Sequence, residues 1–239
     1  MDTIKIDKGN TLMIAHRGLS GIEKENTICS FIAAGNHSFY GLECDIHKTS
    51  DGKYIIIHDD DTSRVSLENL SVESSTFSEL RSINLLDVNG QTSKEYYFLP
   101  SLQEYIEVAK RYEKKCVIEF KNRFLKEDIK EVLEIIKDMD YYDNCIFISF
   151  DDYNLKEIRK MDEHIELQFL TSVLNDEIMQ MCFENNFNLD AVFKIINKDV
   201  VDKFHDHNLK VNVWTVNDPL LARSMIECGV DYITTNILE

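Results

Sequence analysis

The sequence has few basic residues for its length. Of its 239 residues, 26 are Lys or Arg and 43 are Asp or Glu, so the formal net charge is −17. Nucleic-acid binders draw much of their affinity from Lys and Arg side chains that neutralise phosphates, and a chain this acidic would repel a nucleic-acid backbone. We therefore expect no nucleic-acid partner.

Long hydrophobic runs are also missing. The longest apolar blocks, such as Tyr54 to Ile57, are the size of a strand, whereas a membrane-spanning helix needs about 18 apolar residues. The segment from Met1 to Asn10 carries charge throughout and contains no apolar core of a secretory signal. The sequence thus predicts no integral membrane segment and a cytoplasmic location.

The cysteines form no CxxC pair. They lie far apart, at positions 29, 44, 116, 145, 182 and 228. Most of them fall inside apolar or strand-like runs, a pattern typical of reduced, buried thiols rather than of a disulfide framework. No His/Cys cluster has the spacing of zinc ligands either. We expect neither disulfides nor a zinc site.

Strand-sized apolar runs alternate with amphipathic segments along the chain. The runs are Leu12 to Ala15, Gly41 to Ile46, Cys116 to Phe120, Cys145 to Phe150, Glu166 to Leu170, Asp190 to Phe193, Lys210 to Val216 and Val230 to Thr234. Apolar residues at three- and four-residue spacing predict helices such as Leu102 to Tyr112, Glu127 to Met139, Leu155 to Met161 and Pro219 to Cys228. This alternation predicts a parallel sheet covered by helices, closed into a (β/α)8 TIM barrel. The length favours one domain over residues 1–239.

One segment breaks the alternation. Asp51-Gly52 predicts a turn into the short run Tyr54 to Ile57, which ends at His58. Residues 59–100 are polar and rich in Ser, with one helical pattern at Phe77 to Leu86. We expect a small insertion after the second strand region, lying over one end of the barrel.

Acids and bases follow the predicted strands where those strands end. They are His16-Arg17-Gly18 after the first strand, Glu43 and Asp45 on the second, and Glu119 and Lys121 on the next. Residues two apart on a strand share a face, so both members of each pair point the same way. In barrels of this type the chemistry is located at the carboxyl ends of the strands. We therefore expect these side chains to converge at one barrel mouth.

Three carboxylates in one barrel mouth need a positive charge. Glu43, Asp45 and Glu119 would repel one another unless a cation or bound protons neutralised them. Hard divalent cations prefer oxygen ligands, so the sequence predicts one Mg²⁺ or Ca²⁺ ion at these three residues. The alternative is that Lys121 and Arg17 pair with the acids as salt bridges at the rim.

Two histidines are candidates for acid–base chemistry. His58 follows the apolar run Ile55-Ile56-Ile57 and could face His16 across the metal. Imidazoles exchange protons near neutral pH, so the pair predicts general acid–base catalysis. His47 continues the Glu43–Asp45 face and is a weaker candidate for a supporting role. The remaining histidines are expected at the surface: His37, His164, His205 and His207.

Taken in order, these motifs resemble the glycerophosphodiester phosphodiesterase family. The set is His16-Arg17-Gly18, Glu25-Asn26-Thr27, Glu43-Cys44-Asp45, Thr49-Ser50-Asp51-Gly52, His58-Asp59, Glu119-Phe120-Lys121, Trp214-Thr215-Val216-Asn217 and Gly229-Val230-Asp231. The resemblance extends from residue 11 to about 236. It implies that His16 and His58 are the acid–base pair and that the metal ligands are Glu43, Asp45 and Glu119.

The resemblance also implies residues that contact substrate. Arg17 and Lys121 would face phosphate oxygens, and Trp214 would line the pocket near the glycerol. Arg64 stands at a position that is commonly basic in the family's inserted region. The chain departs from the family pattern at Lys24, where Pro is usual, and at Asn236, where Asp is usual.

The function implied is metal-dependent hydrolysis of a small-molecule glycerophosphodiester, such as glycerophosphocholine or glycerophosphoethanolamine, to glycerol 3-phosphate and an alcohol. The nucleophile, water or the 2-hydroxyl of the glycerol, stays open, as do the choice of Mg²⁺ or Ca²⁺ and the oligomeric state. One alternative is another two-histidine barrel phosphodiesterase that acts on phospholipids. Another is a non-catalytic barrel that binds a phosphorylated ligand, which the absence of glycine from Trp214 to Pro219 disfavours.

Overall fold

Eight parallel strands form a closed barrel in the computed structural model, which describes residues 2–91 and 97–239. With a ninth strand outside the barrel, the strands are β1 (Leu12–Ala15), β2 (Gly41–Lys48), β3 (Tyr54–Ile56), β4 (Lys115–Phe120), β5 (Cys145–Ser149), β6 (Glu166–Thr171), β7 (Asn188–Val192), β8 (Val211–Trp214) and β9 (Tyr232–Thr235). The order of pairing is β1-β9-β8-β7-β6-β5-β4-β2, and a β1–β2 pairing closes the ring. The TIM barrel predicted from the sequence is confirmed.

Helices connect successive strands on the outside of the barrel. They are α1 (Ile28–Gly35), α2 (Phe77–Ser82), α3 (Leu102–Arg111), α4 (Lys126–Asp138), α5 (Asp152–Met161), α6 (Asp176–Asn185), α7 (Lys198–Asp206) and α8 (Pro219–Cys228). The large apolar core lies between these helices and the sheet, and a smaller apolar cluster around Ile14, Val117 and Ile146 fills the barrel interior. No helix in the described part of the chain is both long and apolar enough to cross a bilayer.

The insertion after β2 begins with a hairpin. β3 pairs antiparallel with the end of β2, and α2 follows within the insertion. The helix ends at Ser82, earlier than the predicted Leu86, because Ile83 is extended and Leu85 forms a bridge with Ser66. Part of the predicted insertion, residues 92–96, lies outside the described residues.

Although the insertion is polar overall, its isolated apolar residues gather into a core of their own. Val65, Val72, Leu80 and Leu85 are buried there against Ile55 of β3. The insertion is therefore packed on the hairpin that carries His58, and the loop that follows β3 has a fixed support.

Candidate active site

Three carboxylates meet inside the barrel because of strand register. Glu43 and Asp45 both point inward from β2, while the intervening Cys44 packs outward under the helices. Asp45 stands directly beside Glu119 of β4 in the parallel ladder. Oxygens of the three acids lie within 4.8 Å of one another, and all three side chains are buried. The structure thus brings together the three acids that the sequence predicted would meet in the barrel.

The turn after β1 is held against this cluster by backbone contacts. The N–H of Arg17 donates to Glu43 Oε2 at 2.7 Å, and the carbonyl of Arg17 accepts from the hydroxyl of Ser30 at 3.0 Å. Gly18 has a φ of +74°, and a Cβ at this position would lie 2.4 Å from Ser30 Oγ. The sharp turn after His16-Arg17 therefore requires glycine here.

Two cations flank the central acid, Asp45. Lys121 Nζ lies 3.4 Å from Asp45 Oδ1 and 2.8 Å from Glu119, and Arg17 Nε lies 3.6 Å from Asp45 Oδ2. Asn26 donates to the same Asp45 Oδ2 at 2.7 Å. The alternative rim salt bridge holds for Glu119 with Lys121. The guanidinium of Arg17 instead pairs with Glu25, at 2.8 Å.

Charge within the acid cluster is divided unequally. Burial opposes ionisation of Asp45, but Lys121 and Arg17 outweigh it and hold the pKa of Asp45 well below its usual range. Burial, reinforced by the neighbouring Asp45, raises the pKa of Glu119 to about 8 and that of Glu43 well above its usual range. Without a further cation, the cluster would be partly protonated at neutral pH.

The donor set fits a hard divalent ion. Three acidic residues supply carboxylate oxygens, and Asp45 Oδ1 is buried with no hydrogen-bond partner among the described residues. Its nearest cationic group is Lys121 Nζ, at 3.4 Å, and a metal ion placed among these oxygens would bind Oδ1 directly and stabilise the charged forms of Glu43 and Glu119. The chemistry of the cluster, oxygen donors without a His or Cys among them, favours Mg²⁺ or Ca²⁺ over Zn²⁺.

His16 lines the cavity at the acid cluster. Its Nδ1 lies 2.8 Å from Oδ1 of Asn236, the residue that replaces the usual Asp. Because the amide oxygen can only accept, Nδ1 carries the proton and Nε2 is left as a basic nitrogen. Burial lowers the pKa of His16 to about 4, and the Arg17 guanidinium acts in the same direction. This imidazole is neutral at physiological pH.

His58 lines the same cavity and has a different partner. Its Nδ1 lies 2.5 Å from Oδ1 of Asp59, and the guanidinium of Arg64 bonds to Asp59 and, at 2.7 Å, to Glu25. Burial lowers the pKa of His58, while the carboxylates of Asp45 and Asp59 oppose that effect. Of the two histidines, His58 is therefore the one that has a carboxylate, Asp59, bound to its ring to stabilise the protonated form.

Glu25 connects the two sides of the site. It accepts from Arg17 at 2.8 Å and from two nitrogens of Arg64. Burial opposes its ionisation, yet these guanidinium groups lower the pKa of Glu25 to about 2. A chain of charged contacts thus runs from Arg17 through Glu25 and Arg64 to the Asp59 partner of His58.

The opposite wall of the cavity is mostly apolar. Trp214 meets Phe150 edge to face with ring centroids 5.7 Å apart, and its indole N–H donates to the carbonyl of Asp190 at 3.2 Å. Ile148 and Leu170 complete this wall. Trp214 therefore lines the pocket, and the strands β5 to β8 supply an apolar face opposite the acids and histidines.

The histidines outside the cavity occupy several environments. His47 is fully buried, with Nδ1 3.3 Å from Glu73 and Nε2 3.5 Å from the carbonyl of His58, so it contacts the loop after β3 and does not line the cavity. His37 is half-buried against Glu239, whereas His164 and His205 are exposed. His207 is also exposed, and its ring stacks on Phe183.

Four residues at the site were not assigned roles from the sequence. Glu25 and Asn26 were named only as part of a motif shared with the family. Their acid and amide groups follow the cationic His16-Arg17 turn closely in the sequence, and this could have indicated that they contact it. Asn236 was noted only as a departure, and Asp190 was placed at the start of a strand. Contacts between segments far apart in the chain give these four residues their significance.

Comparisons with known proteins agree on one family. The family model described as "Glycerophosphoryl diester phosphodiesterase family" matches residues 16–239. A glycerophosphodiester phosphodiesterase of Caldanaerobacter subterraneus is 29% identical over 95% of this chain and 94% of that protein. Among solved structures, an Oleispira antarctica phosphodiesterase in complex with the product sn-glycerol-3-phosphate superposes with a TM-score of 0.85 at 26% identity, covering 94% of this chain and 92% of that one. A glycerophosphodiester phosphodiesterase of Parabacteroides distasonis gives a TM-score of 0.77 at 29% identity, with coverage of 95% and 93%.

Proposed function

Because the chain belongs to the glycerophosphoryl diester phosphodiesterase family, we propose that it hydrolyses small soluble glycerophosphodiesters to glycerol 3-phosphate and an alcohol, with a divalent cation and two histidines. The resemblance stated from the sequence is confirmed at the level of the family and the enzyme class. The proposed roles of the cation and of the two histidines are supported by one observation: His16, His58 and the acid cluster converge on one cavity.

The substrate is an anion, and the site is built to receive one despite the net charge of −17. Arg17 and Lys121 border the cluster with their charged groups half-buried, where electrostatic attraction is stronger than at the surface. Glu43, Asp45 and Glu119 would hold the divalent cation, which supplies further positive charge to the phosphate oxygens. Phosphate binding is therefore determined by the positive charges inside the site, and the net negative charge of the protein does not prevent it.

The two histidines take different roles because their partners differ. His16, neutral and held by an amide, accepts the proton of the attacking hydroxyl on Nε2. His58, whose protonated form is supported by Asp59, gives its proton to the alkoxide oxygen of the leaving alcohol as the P–O bond breaks. Proton transfers of this kind typically contribute about 10²- to 10⁴-fold in rate. When water is the nucleophile, its oxygen forms the new P–O bond and glycerol 3-phosphate results directly. When the 2-hydroxyl attacks, the product is a cyclic phosphate, and water must then break its new P–O bond, with the two proton transfers reversed, to give glycerol 3-phosphate.

Product analysis tests the proposal. The enzyme is incubated with glycerophosphocholine, glycerophosphoethanolamine or vesicles of intact phosphatidylcholine, with Mg²⁺, Ca²⁺ or EDTA, and the phosphorus products are identified by NMR. We expect glycerol 3-phosphate from the soluble diesters and only with metal. Faster cleavage of the vesicles, release of phosphocholine in place of choline, or undiminished turnover in EDTA would contradict it.

Histidine variants complete that experiment. His16→Ala and His58→Ala are expected to lower kcat by about 10²- to 10⁴-fold without loss of the folded state. His164→Ala is the matched control, because the side chain of His164 is 88% exposed and remote from the cavity. If all three variants retain wild-type turnover, the two-histidine assignment is wrong.

A further inference from the structure

Asp190 is a buried carboxyl group in the active-site cavity that the mechanism above does not use. It lies in the middle of β7, is 2% exposed, and lines the cavity on the wall opposite the acid cluster. Its Oδ1 atom has no hydrogen-bond partner among the described residues. A buried polar atom normally has a partner, so an unpaired oxygen that borders a ligand cavity is available to a polar group of a bound ligand.

The surroundings of Asp190 are neutral. Asn212 lies beside it on β8, and its uncharged amide interacts with the Asp190 side chain as well as with Gln168 and Thr234. No Lys, Arg or His in the described part of the chain forms an ion pair with Asp190. The carboxyl group therefore differs from Glu43, Asp45 and Glu119, which have cations beside them and belong to the proposed metal cluster.

The position of Asp190 suits the glycerol half of the substrate. Trp214 packs against it through the indole hydrogen bond to the Asp190 carbonyl. Phe150, on the same wall, is 46% exposed and therefore stands at the cavity mouth, whereas Asp190 lies in the interior. A small polyol fits the interior position, and the variable alcohol of the diester fits the more open mouth.

We propose that Asp190 is a specificity-determining residue whose carboxyl group hydrogen-bonds a hydroxyl of the glycerol moiety. This inference rests on the proposed function, because it takes the glycerophosphodiester as substrate. Burial raises the pKa of Asp190 to about 8, so the group is largely protonated at neutral pH. A neutral carboxyl group both donates and accepts hydrogen bonds, as a hydroxyl does, and it adds no repulsion toward the phosphate.

Ligand binding to the metal-loaded enzyme tests the inference apart from turnover. Trp214 is the only tryptophan in the chain and lines this cavity, so its fluorescence reports occupancy at this place. The ligands are glycerol 3-phosphate, n-propyl phosphate, which lacks both hydroxyls, and phosphoethanolamine, which carries an ammonium group. Titration calorimetry gives the same dissociation constants independently.

We expect the wild-type enzyme to bind glycerol 3-phosphate about 10- to 100-fold more tightly than n-propyl phosphate. Asp190→Ala should reduce that ratio to within about threefold, and Asp190→Asn, which keeps a donor and an acceptor, should preserve most of it. The thermal unfolding midpoints of both variants are compared with that of the wild type, to check that the variants are folded.

Three results would overturn the assignment. The wild-type enzyme could fail to discriminate the two phosphates, Asp190→Ala could retain the discrimination, or the variant could lose affinity mainly for phosphoethanolamine, which would make Asp190 a site for a cationic alcohol. Hydrolysis assays on the same preparations separate the two proposals. If the wild type hydrolyses glycerophosphodiesters but Asp190→Ala discriminates normally, only the role of Asp190 is wrong. If no glycerophosphodiester is hydrolysed, the proposed function fails first.

Discussion

The amide partner of His16 gives a quantitative prediction. Replacing Asn236 by Asp keeps an oxygen acceptor near Nδ1, where the present contact is 2.8 Å, and adds a negative charge. A unit charge about 4 Å from the imidazole, at an effective dielectric constant of about 20, stabilises the imidazolium by about 4 kcal/mol, or about three pKa units. Residue 236 is half-exposed, so solvent reduces this effect, and we expect a rise of about one to three units from the present value of about 4.

The sign of the effect on activity follows from the role of His16. A general base must be unprotonated, so kcat/KM falls as pH drops below the pKa of His16, and the acid limb of the pH profile marks that pKa. In Asn236→Asp the acid limb should move to higher pH. If the pKa reaches about 7, only about one tenth of His16 is unprotonated at pH 6, so kcat/KM at that pH should fall about tenfold relative to wild type.

The assay is kcat/KM for glycerophosphoethanolamine between pH 4 and 9, at a fixed saturating metal concentration. Asn186→Asp is the matched control, because it adds the same charge at an exposed position at the end of α6. An acid limb that stays within 0.3 pH units of wild type in Asn236→Asp, or that moves equally in the control, would refute the assignment of His16 as the base.

Three other substitutions probe the remaining contacts. Asp59→Asn removes the anionic partner of His58, so the alkaline limb of the pH profile should move to lower pH and kcat should fall; an unchanged limb would argue against His58 as the acid. Glu25→Gln breaks the ion pair with Arg17, and we expect KM to rise about 3- to 10-fold with a smaller change in kcat, measured by steady-state kinetics. Asp45→Asn should weaken Mn²⁺ binding by at least about tenfold in a calorimetric titration, and wild-type affinity would exclude Asp45 as a ligand.

The barrel was predictable because its signal is local and repeated. Each strand is a short apolar run, and each connecting helix has its own periodicity, so eight repetitions compensate for errors at the ends of individual elements. β7 illustrates such an error: the predicted run began at Asp190, whereas the strand begins at Asn188 and places Asp190 in its middle. Asp190 was overlooked for that reason.

The acid cluster was predictable for a second reason. The two-residue spacing of Glu43 and Asp45 fixes a shared face within one strand. The pairing of Asp45 with Glu119, by contrast, depends on the register of β2 against β4, which spacing within a strand does not determine. The contact between His16 and Asn236 joins residues 220 positions apart, and only closure of the barrel between β1 and β9 brings them together.

The small apolar core of the insertion could not be predicted from the composition of that segment. Its residues are mostly polar, yet Val72 and Leu80 are fully buried in a small core. Leu80 lies within the one helical pattern predicted there, Phe77 to Leu86, whereas Val72 occurs singly and produced no pattern in the sequence. Their packing supports the loop on which His58 and Asp59 depend.

The proposed mechanism depends on one divalent ion bound among Glu43, Asp45 and Glu119, beside the two histidines. The most direct measurement is a crystal structure of the enzyme with Mn²⁺ and glycerol 3-phosphate, with the ion located by its anomalous scattering. We expect a single strong peak within bonding distance of all three acids, with the phosphate between His16 and His58. A peak elsewhere in the barrel, or a bound product whose phosphate contacts neither histidine, would contradict it.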